Sequence, residues 1–159
     1  MPMPYRQTVA ALITRPKQGA KHNVEILLAH KPRKNHAWGL PQGGTEHGES
    51  YMQTAVREVR EELGIEIVVD KVTEISDRYK WPWFFIQKMI PVYGKRFRGQ
   101  QRRYVIAHMK PNQVIKPDQD ELDTFKWVTA DELDDLIESP VYLTNIKKVI
   151  AEASEKSTV

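Results

Sequence analysis

The chain has 159 residues and a net charge of +3, with 40% hydrophobic and 28% charged residues, which is typical of one soluble globular domain. It contains no cysteine, which excludes disulfides, thiolate metal sites and cysteine nucleophiles. No segment approaches the ~18 apolar residues of a membrane span, and the N-terminus has no cleavable signal pattern. We therefore expect a single cytoplasmic domain over residues 1–159, with no membrane partner.

Apolar patterns and turn residues predict strands on both sides of one strong helix. In chain order the pattern predicts strands over 7–14 and 24–31, a helix over 51–63, strands over 65–75, 102–109 and 124–128, and helices over 129–138 and 142–155. Residues 17–23 are rich in turn formers and separate the first two strands. This order indicates a mixed α/β sandwich.

The helix over 51–63 has clear signals at both ends. Ser50 and Gln53 have capping-box spacing at its start, and Gly64 stands where a C-terminal cap glycine belongs. Its apolar residues recur at i, i+4, i+7 and i+11, which predicts one face for the core. Those residues are Met52, Val56, Val59 and Leu63.

Three glutamates crowd the same helix. Glu58, Glu61 and Glu62 are spaced i, i+3 and i+4, so they repel one another, and two of them lie in the last turn, where the helix dipole disfavours anions. A cation should compensate them, and oxygen ligands suit Mg²⁺ or Mn²⁺. By itself such a cluster is more typical of a solvated acidic face.

The residues around these glutamates resemble a known motif. The 23-residue stretch from Gly43 to Ile65 matches the Nudix box in full. The matching positions are Gly43, Glu49, Arg57, Glu58, Glu61, Glu62, Gly64 and Ile65. The resemblance implies an α/β fold, the Nudix-type α/β/α sandwich with a mixed central sheet, and hydrolysis of a nucleoside diphosphate linked to another group.

The Nudix resemblance also implies roles for individual residues. Glu58, Glu61 and Glu62 would hold the metal, Mg²⁺ with Mn²⁺ as a substitute, and the carbonyl of Gly43 would assist. Glu49 and Arg57 would support the catalytic site. Clustered divalent ions suit this chemistry because they neutralise a polyanion, position water and stabilise the departing phosphate.

A narrower resemblance extends along most of the chain. The segments WGLPQGGTEHGES (38–50), KRFRGQQRRYVIAHM (95–109) and DELDTFKWVTADEL (120–133) are similar to bacterial RNA pyrophosphohydrolases and dinucleoside polyphosphate hydrolases. The resemblance implies that Glu121 is a further metal ligand or a general base; its alternative is an ordinary loop acid. It also places Tyr142 near an aromatic that stacks on a base.

The segment 78–103 is basic and aromatic. It holds eight Lys or Arg residues, no acid, and seven of the fourteen aromatic residues. Such a segment suits an anionic partner with stackable bases. The predicted substrate-binding residues are Arg6, Lys95, Arg98, Arg102, Arg103 and Tyr142. The rings of Trp83, Phe84, Phe85 and Phe97 are individually more typical of core residues.

These features predict a metal-dependent pyrophosphohydrolase acting on the 5′-triphosphate end of RNA, which leaves a monophosphate and promotes RNA decay. One alternative is hydrolysis of dinucleoside polyphosphates or nucleoside triphosphates at the same site. Another is a non-catalytic RNA- or nucleotide-binding module, although the intact carboxylate set argues against it. The sequence leaves the oligomeric state open.

Overall fold

A computed structural model describes residues 3–17 and 24–156 as a mixed sheet between helices. The strands are β1 (Tyr5–Pro16), β2 (Val24–Lys31), β3 (Ala37–Gly39), β4 (Gln42–Gly44), β5 (Ile67–Lys80), β6 (Gly99–Met109) and β7 (Thr124–Val128). The helices are α1 (Tyr51–Leu63), α2 (Trp83–Tyr93) and α3 (Pro140–Lys156), and Ala130–Asp135 is a 3₁₀ helix. The expected turn over 17–23 lies almost entirely outside the described residues.

The sheet is organised around β1. The strand order is β3-β2-β1-β6-β5, with β4 paired to β1 and β7 to β2. β1 runs parallel to β6 and antiparallel to β2 and β4. Because β6 pairs along one edge of β1, β2 and β4 share the other edge, β4 near the start of β1 and β2 at its end. This split brings the Gly43–Gly44 backbone beside α1.

Alternate residues of β1 face two separate cores. Val9 and Ile13 pack on the same side as Val59 of α1, whereas Leu12 packs on the opposite side with Val149 of α3. Both faces of the sheet are therefore covered by helices, and the predicted α/β/α sandwich with a mixed central sheet is confirmed.

The predicted ends of α1 are confirmed. The Ser50 hydroxyl accepts the Gln53 N–H at 3.1 Å, and the Gln53 side chain accepts the Ser50 N–H at 2.9 Å. Gly64 ends the helix with φ 66°, a left-handed conformation that glycine adopts without strain.

The predicted apolar face of α1 is partly wrong. Met52 is 47% exposed, while Ala55, Val59 and Leu63 are buried together with Glu62. The buried stripe is therefore rotated toward Ala55, at i, i+4, i+7 and i+8. The helix buries one of its three clustered glutamates, which an apolar pattern alone does not reveal.

Two further expectations differ from the structure. The helix over 129–138 is only the 3₁₀ helix Ala130–Asp135, and the Thr129 side chain makes no capping hydrogen bond. Trp83 and Phe84, expected in the core, are 63% and 72% exposed because they lie on α2, which buries Ile86 and leaves most of its other side chains at the surface.

The sequence pattern also misses α2 itself. Pro82 at its N-cap and Gly94 at its C-cap, with φ 73°, are the signals that mark its ends. Although α2 is rich in apolar residues, no helix in the described part of the chain is long and apolar enough to cross a membrane.

Candidate active site

A polar cavity of about 420 Å³ lies where β4, α1 and the loop before β7 meet. The four glutamates predicted to bind metal, Glu58, Glu61, Glu62 and Glu121, line it, whereas Glu49 does not. The other lining residues are Arg6, Thr8, Lys34, Gln42, Gly43, Gly44, Tyr93, Gln100 and Asp118. We call it the carboxylate cavity. Besides its acidic residues, the lining includes two cationic residues, Arg6 and Lys34.

Two glycines allow charged side chains to lie directly on the backbone of β4. A Cβ at Gly43 would lie 2.0 Å from the carboxyl carbon of Glu58, so no other residue fits there unless Glu58 moves. A Cβ at Gly44 would lie 2.2 Å from the Arg6 guanidinium. The missing side chain of Gly44 therefore makes room for Arg6.

Arg57 connects the acidic residues. Its Nε donates to Glu49 at 2.7 Å, and its Nη1 donates to Glu58 at 2.9 Å and to Glu61 at 3.3 Å. Its Nη2 donates to the carbonyl of Gly44 at 2.9 Å. Arg57 therefore supplies part of the positive charge that the glutamate cluster requires. Its hydrogen bond to the Gly44 carbonyl also links α1 to β4.

The carboxyl groups have different proton affinities. Hydrogen bonds from Arg57 lower the pKa of Glu49 to about 2, so it is ionised under all ordinary conditions. Burial raises the pKa of Glu58 in spite of Arg57. Burial, followed by the nearby Glu58 charge, raises the pKa of Glu62 to about 8.

Glu62 is poorly satisfied by the protein. It is 7% exposed, and its Oε2 is buried with no hydrogen-bond partner among the described residues. Lys31 is also buried, and burial together with the Lys34 charge lowers its pKa to about 7. A buried carboxyl oxygen without a partner is costly, which fits a group that receives a cation.

The donor set fits a hard divalent cation. Glu58, Glu62 and the Gly43 carbonyl offer oxygen alone, as Mg²⁺ and Mn²⁺ prefer. Within residues 3–17 and 24–156, no three acidic or histidine side chains already form a ready-made ion site. The Glu61 side chain is 58% exposed and paired with Arg57, so its participation would require it to turn inward.

Three of the predicted substrate-binding residues lie at or near the cavity. Arg6 lines it and stacks on the Tyr93 ring, with its guanidinium carbon 4.5 Å from the ring centroid. Lys95 lines an adjoining cavity, and Arg98 stacks on Tyr5 at 5.1 Å.

The other three do not line the carboxylate cavity and have protein partners, one of which, Gln42, belongs to its lining and accepts from Arg102 at 3.4 Å. Arg102 donates twice to Asp77, at 3.1 Å each, and packs on the Tyr142 ring at 4.0 Å. Arg103 donates to the Thr73 carbonyl at 3.2 Å. The Tyr142 hydroxyl accepts the Leu40 N–H at 2.8 Å. Their predicted contact with substrate would require these interactions to open.

The sequence analysis did not predict Lys34 or Tyr93 in the site. Lys34 is brought there by the turn after β2, where Asn35 and His36 adopt positive φ angles of 57° and 56°. No glycine marks that turn, but Asn and His are among the residues that most readily adopt positive φ, so Asn35 and His36 are the signal that could have indicated it. Tyr93 is the last residue of α2, the helix that the pattern missed.

Comparison with known proteins identifies the family of the chain. The NUDIX domain family model matches residues 4–148. An RNA pyrophosphohydrolase of Sulfurovum sp. (strain NBC37-1) is 31% identical over 138 residues, covering 87% of this chain and 84% of the relative. One from a Nitratiruptor species is 30% identical over 131 residues, with 81% of each covered.

Solved structures show the same fold. A C. elegans Ap4A hydrolase in a binary complex superposes with a TM-score of 0.70 at 18% identity, covering 94% of this chain and 98% of that one. The solution structure of the E. coli ORF135 protein gives 0.62 at 25% identity, covering 94% and 91%. Sequence, fold and family model together show that the chain belongs to the Nudix hydrolase family.

Proposed function

We propose that the protein is a metal-dependent pyrophosphohydrolase that removes pyrophosphate from the 5′-triphosphate end of RNA in the cytoplasm, leaving a 5′-monophosphate and promoting RNA decay. The observation that carries the proposal is the carboxylate cavity, where Glu58 and Glu62 lie beside Arg6 and Lys34. The acids suit metal ions, and the cations suit the phosphates that such ions would bridge.

Residues of α1 and β4 would hold the metal. Glu58, Glu62 and the Gly43 carbonyl would be its ligands, and Glu61 would join them if it left Arg57. Bound Mg²⁺, or Mn²⁺ in its place, neutralises phosphate charge and activates water. Arg57, fixed by the ionised Glu49, holds Glu58 over Gly43.

The remaining cavity residues would act on the substrate. Arg6 lies against Gly44 and offers a guanidinium to a phosphate oxygen. Glu121 is exposed and lines the same cavity, which supports a role for it as the base that accepts a proton from the attacking water. A glutamate that holds metal is the alternative base.

Charge outside the cavity favours RNA over a small nucleotide. Arg78, Lys80, Lys88, Lys95, Arg96 and Arg98 form no ion pair with a carboxylate in the part of the chain that the structure describes. By contrast, Arg102 and Arg103 pair with acids. Unpaired cations attract a polyphosphate backbone, and a mononucleotide is too small to reach most of them. The names of the two relatives above support the same assignment.

The test compares kcat/KM for three substrates with Mg²⁺: a 5′-triphosphorylated RNA oligonucleotide, a dinucleoside tetraphosphate and each nucleoside triphosphate. We expect the RNA to be preferred. Glu62→Gln should abolish most turnover, because an amide is a weak ligand for a hard cation. Glu132→Gln, the same change at an exposed site outside the cavity, is the matched control.

Three results would contradict the proposal. Wild-type turnover in a folded Glu62→Gln variant would remove Glu62 from the metal site. A clear preference for the dinucleoside tetraphosphate or a free triphosphate would instead support the alternative function at the same cavity. No phosphate release from any substrate with either metal would favour a binding module.

A further inference from the structure

A second cavity, about 670 Å³ in volume, adjoins the carboxylate cavity. The two share Arg6, Gly44, Glu58 and Tyr93 in their linings, so only the thickness of these residues lies between them. We call the second one the aromatic cleft, after the rings of Tyr5, Tyr93 and Phe97 that line it. Nothing in the hydrolysis of the phosphates themselves requires it.

Cations cover the rings of the aromatic cleft. Arg6 lies over Tyr93, and the Lys95 ammonium lies 5.1 Å from the centroid of Phe97. Tyr93 and Phe97 meet edge to face with centroids 5.8 Å apart, and both are half-buried. A phosphodiester would draw Lys95 away from Phe97 and uncover a ring on which a base can stack.

The surroundings of the cleft are more basic than those of the other adjoining cavity. Lys95 begins the short segment 95–98, KRFR, in which three of the four residues are cations without a carboxylate partner among the described residues. The cavity that meets the carboxylate cavity at Lys34 is lined by two acids, Asp135 and Glu138. The aromatic cleft also has two acids in its lining, Glu46 and Glu58, but both pair with Arg57. A polyanionic strand is therefore favoured on the Lys95 side.

We propose that single-stranded RNA leaves the carboxylate cavity through the aromatic cleft, with a base stacked on Phe97 and a backbone phosphate on Lys95. This inference rests on the proposed function and assigns the residues that distinguish an RNA chain from a mononucleotide. Stacking and phosphate contacts tolerate any sequence, so the cleft selects chain length and not base identity.

The test measures binding, so that it does not depend on turnover. A 5′-monophosphorylated hexanucleotide labelled at its 3′ end is titrated by fluorescence anisotropy with Mg²⁺ present, and an unlabelled nucleoside monophosphate competes. Lys95→Gln should weaken binding of the hexanucleotide severalfold. It should also lower the slope of log K against log salt by about 0.7. Phe97→Leu, which keeps apolar volume, should weaken it at least about fivefold.

The matched control is Lys148→Gln on the exposed face of α3, which should leave binding unchanged. Thermal melting of each variant shows whether it is folded. Because Lys95 is exposed, Lys95→Gln keeps the test valid even if Phe97→Leu disturbs the packing of Phe97 against Tyr93. Unchanged hexanucleotide binding in a folded Lys95→Gln variant overturns the inference. Equal weakening of hexanucleotide and monophosphate also overturns it, because the cleft would then hold only the terminal phosphate.

Failure of this inference is distinguishable from failure of the proposed function. If the wild type hydrolyses triphosphorylated RNA while the cleft variants bind the hexanucleotide normally, the cleft assignment fails and the function stands. If the variants lose hexanucleotide binding but the wild type hydrolyses no triphosphate, the cleft assignment stands and the function fails.

Discussion

The raised pKa of Glu62 predicts that Glu62→Gln stabilises the metal-free protein while it removes activity. In the folded chain, burial and the Glu58 charge hold the pKa of Glu62 at about 8, against an ordinary value of 4.5. The folded state must therefore either keep a proton on this group or bury an unfavourable charge. Gln has nearly the same shape and no charge, so it removes that penalty.

The size of the effect follows from linkage. Below pH 4.5 Glu62 is neutral in both the folded and the unfolded chain, so it has no effect on the free energy of unfolding. As the pH rises from 4.5 toward 8 the unfolded chain ionises and the folded chain does not, which lowers stability by about 1.4 kcal/mol per pH unit. At pH 7 the loss is about 3 kcal/mol, or roughly 6–12 °C in Tm for a chain of this size.

The assay is thermal melting of wild type and Glu62→Gln in EDTA from pH 4.5 to pH 8. We expect the Tm of the variant to exceed that of the wild type by an amount that grows with pH. Glu132→Gln, at an exposed position, controls for general loss of negative charge. A Tm difference independent of pH, or a variant less stable than wild type at pH 7, would refute the assignment of Glu62 as a desolvated carboxyl group.

Three further predictions concern other parts of the site. Arg102→Gln should lower the free energy of unfolding in urea by about 3 kcal/mol, because it leaves the Asp77 charge buried without a cation. The hydrogen bonds that Tyr104 and Asn145 donate to Asp77 remain and keep the loss at the lower end of the usual range. Arg98→Gln, which breaks no ion pair among the described residues, should cost less than about 1 kcal/mol. Millimolar Mg²⁺ or Mn²⁺ should raise the wild-type Tm but not that of Glu58→Gln, since the ion binds the folded state alone; equal shifts in both would exclude Glu58 as a ligand. Gly43→Ala should displace the Glu58 carboxyl group and reduce turnover, with circular dichroism confirming the fold, and normal turnover would show that Glu58 need not lie there.

Features determined by neighbouring residues could be predicted from the sequence. The capping box of Ser50 with Gln53, and the left-handed Gly64, are local interactions, so the ends of α1 follow from the pattern alone. The strands β1 and β2 were also predicted, because each is a run of apolar residues that are neighbours in the sequence. The full Nudix match then predicted which glutamates line one cavity, because the motif specifies their spacing on α1.

Features that depend on distant contacts could not be predicted. The inward position of Glu62 depends on how α1 is rotated over the sheet. The apolar pattern assigned Met52 to the buried face of α1 and Glu62 to the exposed one, whereas the structure exposes Met52 and buries Glu62. The partners of Arg102 are Asp77 and Tyr142, which lie on different elements. A basic segment therefore predicts net charge correctly without showing which cations are already paired.

Two carboxyl groups of the site, Glu49 and Glu62, have pKa values displaced in opposite directions, and this difference separates their roles. Glu49 receives hydrogen bonds from Arg57 and is ionised well below neutral pH, so it serves as a permanent anchor for Arg57. Glu62 lies on the same helix as Arg57, has no partner for Oε2 among the described residues, and keeps its proton to about pH 8. An anchor must be ionised before the metal binds, whereas a protonated ligand releases its proton when a cation binds, so that metal affinity rises with pH. The hydrogen bond from Arg57 therefore supports Glu49 as the residue that positions the site. The unpartnered Oε2 supports Glu62 as a metal ligand.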